Sequence, residues 1–250
     1  MIIMIQAVFN RFERKYILTE SQKNEMIHFL KNHLVFDPYS ENEQFYKVFN
    51  IYYDTLEHFV IRDSLLKPRY KAKLRLRSYQ LDMNDDQLLF LEIKKKMQQR
   101  INKRRLTLTY KTAMAYMNHQ VKPVYHDFLD QQILNEIDYF IQTHHVKPSI
   151  YIEYERLAMM SKDDHLRITF DKNIAFSEEH LSLSQHENKK LFESDALYLM
   201  EIKSDVNFPL WLAKKLSSYE IFSQSFSKYG KIYEHHIIGG YLDDTLLYRP

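Results

Sequence analysis

The sequence predicts an α+β fold, a closed eight-stranded antiparallel β-barrel with helices packed outside it. Three observations point there. Eight runs rich in aromatic and β-branched residues recur, at about 10–18, 46–54, 69–79, 87–96, 102–110, 149–158, 164–174 and 196–204. Most follow one another through short connections, which favours antiparallel pairing, and eight strands are enough to close a barrel. Inside several runs a charged residue stands at every second position, so one face of the sheet is ionic.

The elements follow in order. The first run puts Arg11, Glu13 and Lys15 on one face. Thr19-Glu20-Ser21-Gln22 reads as a capping box that opens a helix carrying Ile27, Leu30 and Leu34 at helical spacing. The second run ends in Tyr52-Tyr53-Asp54-Thr55, read as core aromatics followed by a turn, with Asp54 alternatively orienting an interior cation. The third places Lys71, Lys73, Arg75, Arg77 and Tyr79 together, opposite Ala72, Leu74 and Leu76. The fourth sets Glu92, Lys94 and Lys96 against Leu91 and Ile93, and the fifth offers Lys103 and Arg105.

A second helix is expected over 125–144, with Phe128, Ile133, Ile137, Phe140 and Ile141 as its apolar stripe. In the sixth run Arg156 has the opposite parity from Glu153 and Glu155, so an inward Arg156 leaves both glutamates on the surface. The seventh run aligns Arg167, Thr169 and Asp171; the polar stretch 178–195 reads as a loop. The eighth sets Glu201 and Lys203 against Met200 and Ile202. Asn207-Phe208-Pro209 opens a third helix through Trp211, Leu212 and Leu216, with Trp211 as its anchor on the barrel. Lys95, Arg100 and Arg104 fall outside the ionic pattern and read as solvated.

An ionic sheet face is ordinarily solvated. Four cations in a row at 71, 73, 75 and 77 argue for something more. Charges two residues apart in a strand sit roughly 7 Å from each other and repel by about 2 kcal/mol at an effective dielectric of about 20. Water relieves that at an open surface, whereas inside a barrel only an anion or interleaved carboxylates can. Glu13, Glu92 and Glu201 are the interleaved carboxylates, too few to neutralise the cations. They are about right in number to hold a divalent metal, and the remaining positive charge calls for an anion.

Composition bounds the chemistry. With no cysteine, thiol catalysis, iron–sulfur clusters, Cys-ligated zinc and disulfides are excluded. Only three glycines are present, at 230, 239 and 240, so neither a Walker loop nor a Rossmann fingerprint can form, and if the protein binds phosphate it does so with side chains. The net charge of +2 gives no global field for nucleic acid, and the cations share their face with carboxylates. The paired histidines at 144–145 and 235–236 lack metal-ligand spacing. Length and composition suit one domain over 1–250. The apolar start lacks a basic n-region and a cleavage site, so a cytoplasmic protein is expected.

The segments FERKYIL (12–18), IYYDT (51–55), KLRLRSY (73–79), FLEIKKK (90–96), NKRR (102–105), YERLAM (154–159), RITFD (167–171), LMEIK (199–203), FPLWL (208–212) and FSKY (226–229) occur in an order that resembles the vacuolar transporter chaperone (VTC) domain. That domain is the polyphosphate polymerase module of the triphosphate tunnel metalloenzyme (CYTH-like) superfamily. The resemblance implies a tunnel through the barrel and transfer of the terminal phosphoryl group of a nucleoside triphosphate to polyphosphate, with Mn2+ or Mg2+ bound. It implies catalytic or triphosphate-gripping roles for Lys15, Arg75, Arg77, Lys94, Lys103, Arg156, Lys203, Ser227 and Lys228. It assigns the metal to Glu201, and Glu13, the carboxylate left in the first strand, is the second candidate metal ligand. A triphosphatase, a nucleotide cyclase and a binding-only module share the barrel as alternatives, and a membrane-protein partner that receives the polymer is a further implication.

Two departures stand out. The superfamily opens Glu-x-Glu-x-Lys, and here Arg11 replaces the first glutamate, which implies weaker activation of water and fits a polymerase. Ser225 stands where some members carry another cation, which implies a looser grip at the tunnel exit.

Overall fold

The computed structural model describes residues 7–81, 83–98, 100–163, 165–179, 181–183, 189–192, 198–205 and 207–238. Its strands are β1 (Val8–Leu18), β2 (Val35–Phe36), β3 (Tyr46–Asp54), β4 (Tyr70–Ser78), β5 (Leu88–Met97), β6 (Arg100–Thr109), β7 (Lys147–Met160), β8 (Leu166–Ser177), β9 (Lys190–Leu191) and β10 (Tyr198–Ser204). All eight predicted strands form. They pair antiparallel in the order β7-β3-β4-β5-β6-β1-β10-β8, and β8 returns to β7, so the sheet closes on itself. The short β2 and β9 add to the outer edges of β7 and β8. Thus the predicted 178–195 loop contains a strand, while residues 180, 184–188 and 193–195 of it lie outside the described residues, as do the first six residues and the glycines at 239 and 240.

Among the described residues six α-helices accompany the barrel: α1 (Glu20–Leu30), α2 (Phe59–Leu65), α3 (Tyr110–His119), α4 (Phe128–His144), α5 (Leu210–Ser218) and α6 (Lys228–Ile232). The capping box of α1 is present, with Gln22 N–H donating to Thr19 Oγ1 at 3.2 Å and Thr19 N–H to Gln22 Oε1 at 3.0 Å. Asp127 caps α4, which delays its start to Phe128. Helices α2, α3 and α6 have no counterpart in the sequence reading. The fifth run, rich in Thr and Tyr, read as strand through 110, but Thr109 accepts from Thr112 N–H and turns the chain into α3. Asp54 orients no interior cation. Its carboxylate accepts from Val60 and Ile61 N–H at 2.8 and 3.0 Å, fastening α2 under the barrel. Among the described residues no helix is long and apolar enough to cross a membrane.

Alternation inside the strands decides which face each helix covers. Leu74, Leu76, Leu91 and Leu106 point outward against Ile133, Ile137 and Phe140 of α4. Ile168, Phe170, Met200 and Ile202 point outward against Met26 and Leu30 of α1 and Leu212 and Leu216 of α5. Each such side chain contributes about 1.5–3 kcal/mol by leaving water, so the apolar parity fixes the charged parity inward. Trp211 anchors α5 on α1 rather than on the barrel wall, stacked on His33 at 4.0 Å and 5.8 Å from Phe29. Lys95 and Arg104 also face outward, but they are covered: both pair with Glu136 of α4 instead of facing solvent. Glu153 and Glu155 lie outside, paired with Lys189 and Lys172.

Candidate functional site

Among the described residues ten cationic side chains and four carboxylates meet inside the barrel, in three linked groups. Glu92 is fully buried and accepts from Arg75 Nε at 2.8 Å, Arg105 Nε at 2.8 Å and Lys103 at 3.0 Å, with Arg77 Nε at 3.9 Å. Asp171 takes a bidentate pair from Arg156 at 2.7 and 2.8 Å and a bond from Lys228 at 2.5 Å. Glu201 accepts from Lys203 at 2.7 Å and lies 3.4 Å from Lys15, which is also 3.4 Å from Glu13. Lys94 reaches both oxygens of Glu13 at 2.9 Å. The tenth cation, Lys73, donates to Ser227 Oγ at 3.1 Å and pairs with no carboxylate among the described residues.

Register accounts for this convergence. Arg75 stands opposite Glu92 and Glu92 opposite Arg105, while Lys73, Lys94 and Lys103 line up across β4, β5 and β6. Lys15 faces Glu201 and Glu13 faces Lys203 across β1 and β10. Arg77 is held by neutral groups, donating to Asn50 Oδ1 and Tyr154 Oη at 2.9 Å each. Arg75 also donates to Tyr52 Oη at 3.2 Å.

The C-terminal segment enters the same space. Lys15 donates to the Phe226 carbonyl at 2.8 Å, and Ser227 caps α6 by accepting from Gly230 N–H at 3.2 Å. Beyond it Tyr229, Ile232 and Tyr233 join Ile150, Ile152 and Phe176 in an apolar plug of the barrel end where β7 begins. Gly230 lets α6 approach α2, since a Cβ there would stand 3.1 Å from Leu65 Cδ2.

All the candidate catalytic, triphosphate-gripping and metal residues therefore meet in one interior, whereas Arg11 pairs with Asp205, Lys71 donates to the Ser64 carbonyl, Arg167 pairs with Asp37 and Lys96 is exposed. Glu92, Asp171, Lys73 and Arg105 stood on the ionic faces but outside the candidate set, and here they are as central as the others. Asn50 and Tyr154 were missed altogether, and Tyr52, read as a core aromatic, instead turns its hydroxyl to Arg75 in the interior. The available signal was parity, because they alternate with outward Phe49, Ile51 and Tyr53 on β3 and with outward Glu153 and Glu155 on β7.

Ionisation follows from burial set against neighbours. Burial would raise the Glu92 and Glu201 carboxyls, but Lys103 and Arg75 around the first, and Lys203 and Lys15 around the second, hold both well below the usual range. Glu13 behaves alike, brought down to about 2 by Lys94 and Lys15 against the effect of burial. Burial, reinforced by Lys71, Lys15 and Lys94, pushes Lys73 down from 10.5 to about 7. Lys203 falls to about 8, because burial outweighs its pairing with Glu201.

A consequence can be measured. Between pH 7 and 10.5 the folded apo protein binds fewer protons at Lys73 than the unfolded chain does, so its stability rises with pH across that window. A bound polyanion favours the charged lysine and reverses the effect. Triphosphate binding at pH 8 is expected to take up protons, and affinity is expected to fall as pH rises from about 7 toward 10. Titration calorimetry in two buffers of different ionisation heat reads the uptake; zero uptake or net release contradicts the assignment.

The divalent metal implied for the site can be tested against its residues. Among the described residues no three His, Asp or Glu side chains cluster as a protein cage for an ion. Two carboxylates, Glu13 and Glu201, converge on Lys15 instead. Thr169, opposite Glu201 on β8, is fully buried, and its hydroxyl has no hydrogen-bond partner among the described residues. One or two carboxylates beside an open polar group is the usual protein share of a magnesium-type site whose other ligands are phosphate oxygens and water. The residues fit a substrate-bridged ion and do not fit an all-protein one.

The sequence matches the VTC domain family over residues 10–236. The chain belongs to that family. Among solved structures, the VTC domain here is similar to one from Bacillus halodurans described as a "putative adenylate cyclase", at 12% identity and a TM-score of 0.54, covering 89% of this chain and 96% of that one. At that identity the likeness shows the barrel fold alone. A Pyrococcus horikoshii protein matches at 13% identity and a TM-score of 0.44, covering 91% of this chain and all of the other. No curated protein matches the sequence.

Proposed function

We propose that this VTC domain is a phosphotransferase that moves the terminal phosphoryl group of a nucleoside triphosphate onto a polyphosphate chain. One observation carries the reading. Among the described residues ten cationic side chains share the barrel interior with four carboxylates, an excess of positive charge that a bound polyanion would relieve.

Catalysis on this scaffold is positioning and charge neutralisation. Arg75 and Arg77, set two residues apart on a rigid strand, grip successive phosphates, with Arg156, Lys94, Lys103 and Lys203 around them. The bond from the β,γ-bridging oxygen to the terminal phosphorus breaks, a terminal oxygen of the polymer forms the new bond, and nucleoside diphosphate leaves. Lys15, Ser227 and Lys228 close the interior behind the reacting phosphates and keep bulk water away. Glu201 and Glu13, with Thr169 beside them, would hold Mn2+ or Mg2+, which when bound neutralises charge on the phosphate oxygens. Carboxylates this committed to lysine and arginine are poor bases for water, which favours a phosphate acceptor over hydrolysis.

Incubation of the protein with ATP and Mn2+, followed by gel and phosphate analysis, tests the reading. Polymer is expected; free phosphate, cyclic nucleotide or binding without turnover would each replace it with another activity of the same barrel.

Arg77→Ala gives a residue-level check. Losing one charge-assisted phosphate contact is expected to weaken triphosphate binding by about 1.5–3 kcal/mol. The orphaned Asn50 and Tyr154 and the relieved repulsion with Arg75 act in opposite directions on the apo fold. A melt showing a large loss of apo stability beside unchanged affinity would make Arg77 structural.

A further inference from the structure

We propose that Tyr39 is the platform on which the base of the nucleoside triphosphate stacks, an inference that rests on the function proposed above. Tyr39 lies in the 3-10 turn Pro38–Glu43, between β2 and β3, and is 61% exposed. Its ring stacks on Tyr79 at 5.5 Å and 23°, and meets Tyr46 at 5.5 Å. Tyr79 in turn receives a bond from Arg77 Nη1 at 3.5 Å, and the Arg77 guanidinium lies 5.8 Å from its ring centre. One aromatic ring therefore separates an exposed, stackable face from a buried phosphate-gripping arginine.

A single exposed tyrosine is unremarkable; a rigidly mounted one beside a charged interior is a different matter. The turn beneath Tyr39 is built from buried polar groups. Asp37, 1% exposed, accepts from Tyr39 N–H at 3.1 Å, pairs with Arg167, and donates its own N–H to the Ala158 carbonyl at 3.0 Å. Fully buried Ser40 accepts from Ala158 N–H at 2.9 Å. This fastening to β7 removes in advance the entropy that an exposed ring would otherwise lose on binding.

Direction supports the assignment. Lys73, which meets Ser227 and so marks the plugged end, lies near the start of the ionic row of β4, and Tyr79 directly follows the far end of that strand. A triphosphate lying along that row, with its phosphates at Arg75 and Arg77, leaves its nucleoside at the Tyr79 end, within reach of Tyr39. Stacking there is tolerant of base identity, because every base has a π-face. Polyphosphate has none, so Tyr39 would favour the phosphoryl donor over the polymer in a site whose arginines bind both.

The test compares ATP with inorganic tripolyphosphate on wild type, Tyr39→Ala and Tyr39→Trp by titration calorimetry. Tyr39→Ala is expected to weaken ATP about five- to a hundredfold and leave tripolyphosphate unchanged, with Tyr39→Trp retaining ATP affinity. ATP affinity that survives Tyr39→Ala overturns the platform, and so does an equal loss for both ligands. A wild-type protein that binds neither ligand overturns the triphosphate reading itself, and this inference falls with it.

Discussion

Glu92→Gln is expected to destabilise the apo protein by about 3–5 kcal/mol, more than any other single change in the interior. The substitution keeps the shape of a fully buried side chain and removes the charge that Arg75, Arg105 and Lys103 bond directly and that Arg77 faces. Those cations stay in a barrel interior that water reaches only in part, with 12–17% of the Arg105, Arg75 and Lys103 side chains exposed. For a chain of this size the loss corresponds to a fall in Tm of roughly 10 °C. Added tripolyphosphate should restore part of it, giving a larger ligand-induced shift in the variant than in wild type. A Tm within a degree or two of wild type would mean that the interior is wet enough to solvate its own cations, and the case for a required polyanion would fail.

The second large effect falls on turnover. Glu201→Gln keeps volume and removes the carboxylate that Lys203, Lys15 and Arg156 surround. If Glu201 helps to hold the divalent ion at the phosphates, metal-dependent turnover should drop by about a hundredfold or more, because that charge acts on the transition state. Triphosphate affinity should change little, since the lysines and arginines remain. Metal titration of turnover beside calorimetric affinity separates the two. Full metal-dependent activity in the variant would leave Glu201 as a charge balancer only.

Much of this architecture is legible from residue order alone, and the reason is parity. In β4 Ala72, Leu74 and Leu76 alternate with lysine and arginine without interruption, and in the middle of β5 Leu91 and Ile93 alternate with Glu92 and Lys94, so a strand reading fixes both the core face and the ionic face at once. The same reasoning extends to β10, where Met200 and Ile202 flank Glu201. It fails where no alternation exists. Helix α2 is seven residues long and depends on Asp54 reaching across the turn, a contact invisible until β3 and α2 are packed. Helix α6 contains a glycine and two lysines in five residues, and it is helical because the plugged barrel end holds it there. The site shows the same division. Its cations announce themselves by charge, while Asn50, Tyr52 and Tyr154 look like ordinary strand residues and gain their meaning only when Arg75 and Arg77 are seen to bond them. Glu136 is the converse case, a surface-looking glutamate of α4 that draws Lys95 and Arg104 out of solvent.

The structure of the protein with inorganic tripolyphosphate tests the central claim most directly. The account predicts the phosphates inside the barrel, with oxygens about 2.7–2.9 Å from the nitrogens of Arg75 and Arg77, and with Glu92 still paired to Arg105 and Lys103. An interior left without the anion, with the phosphates instead on outward lysines such as Lys47 or Lys189, would contradict it.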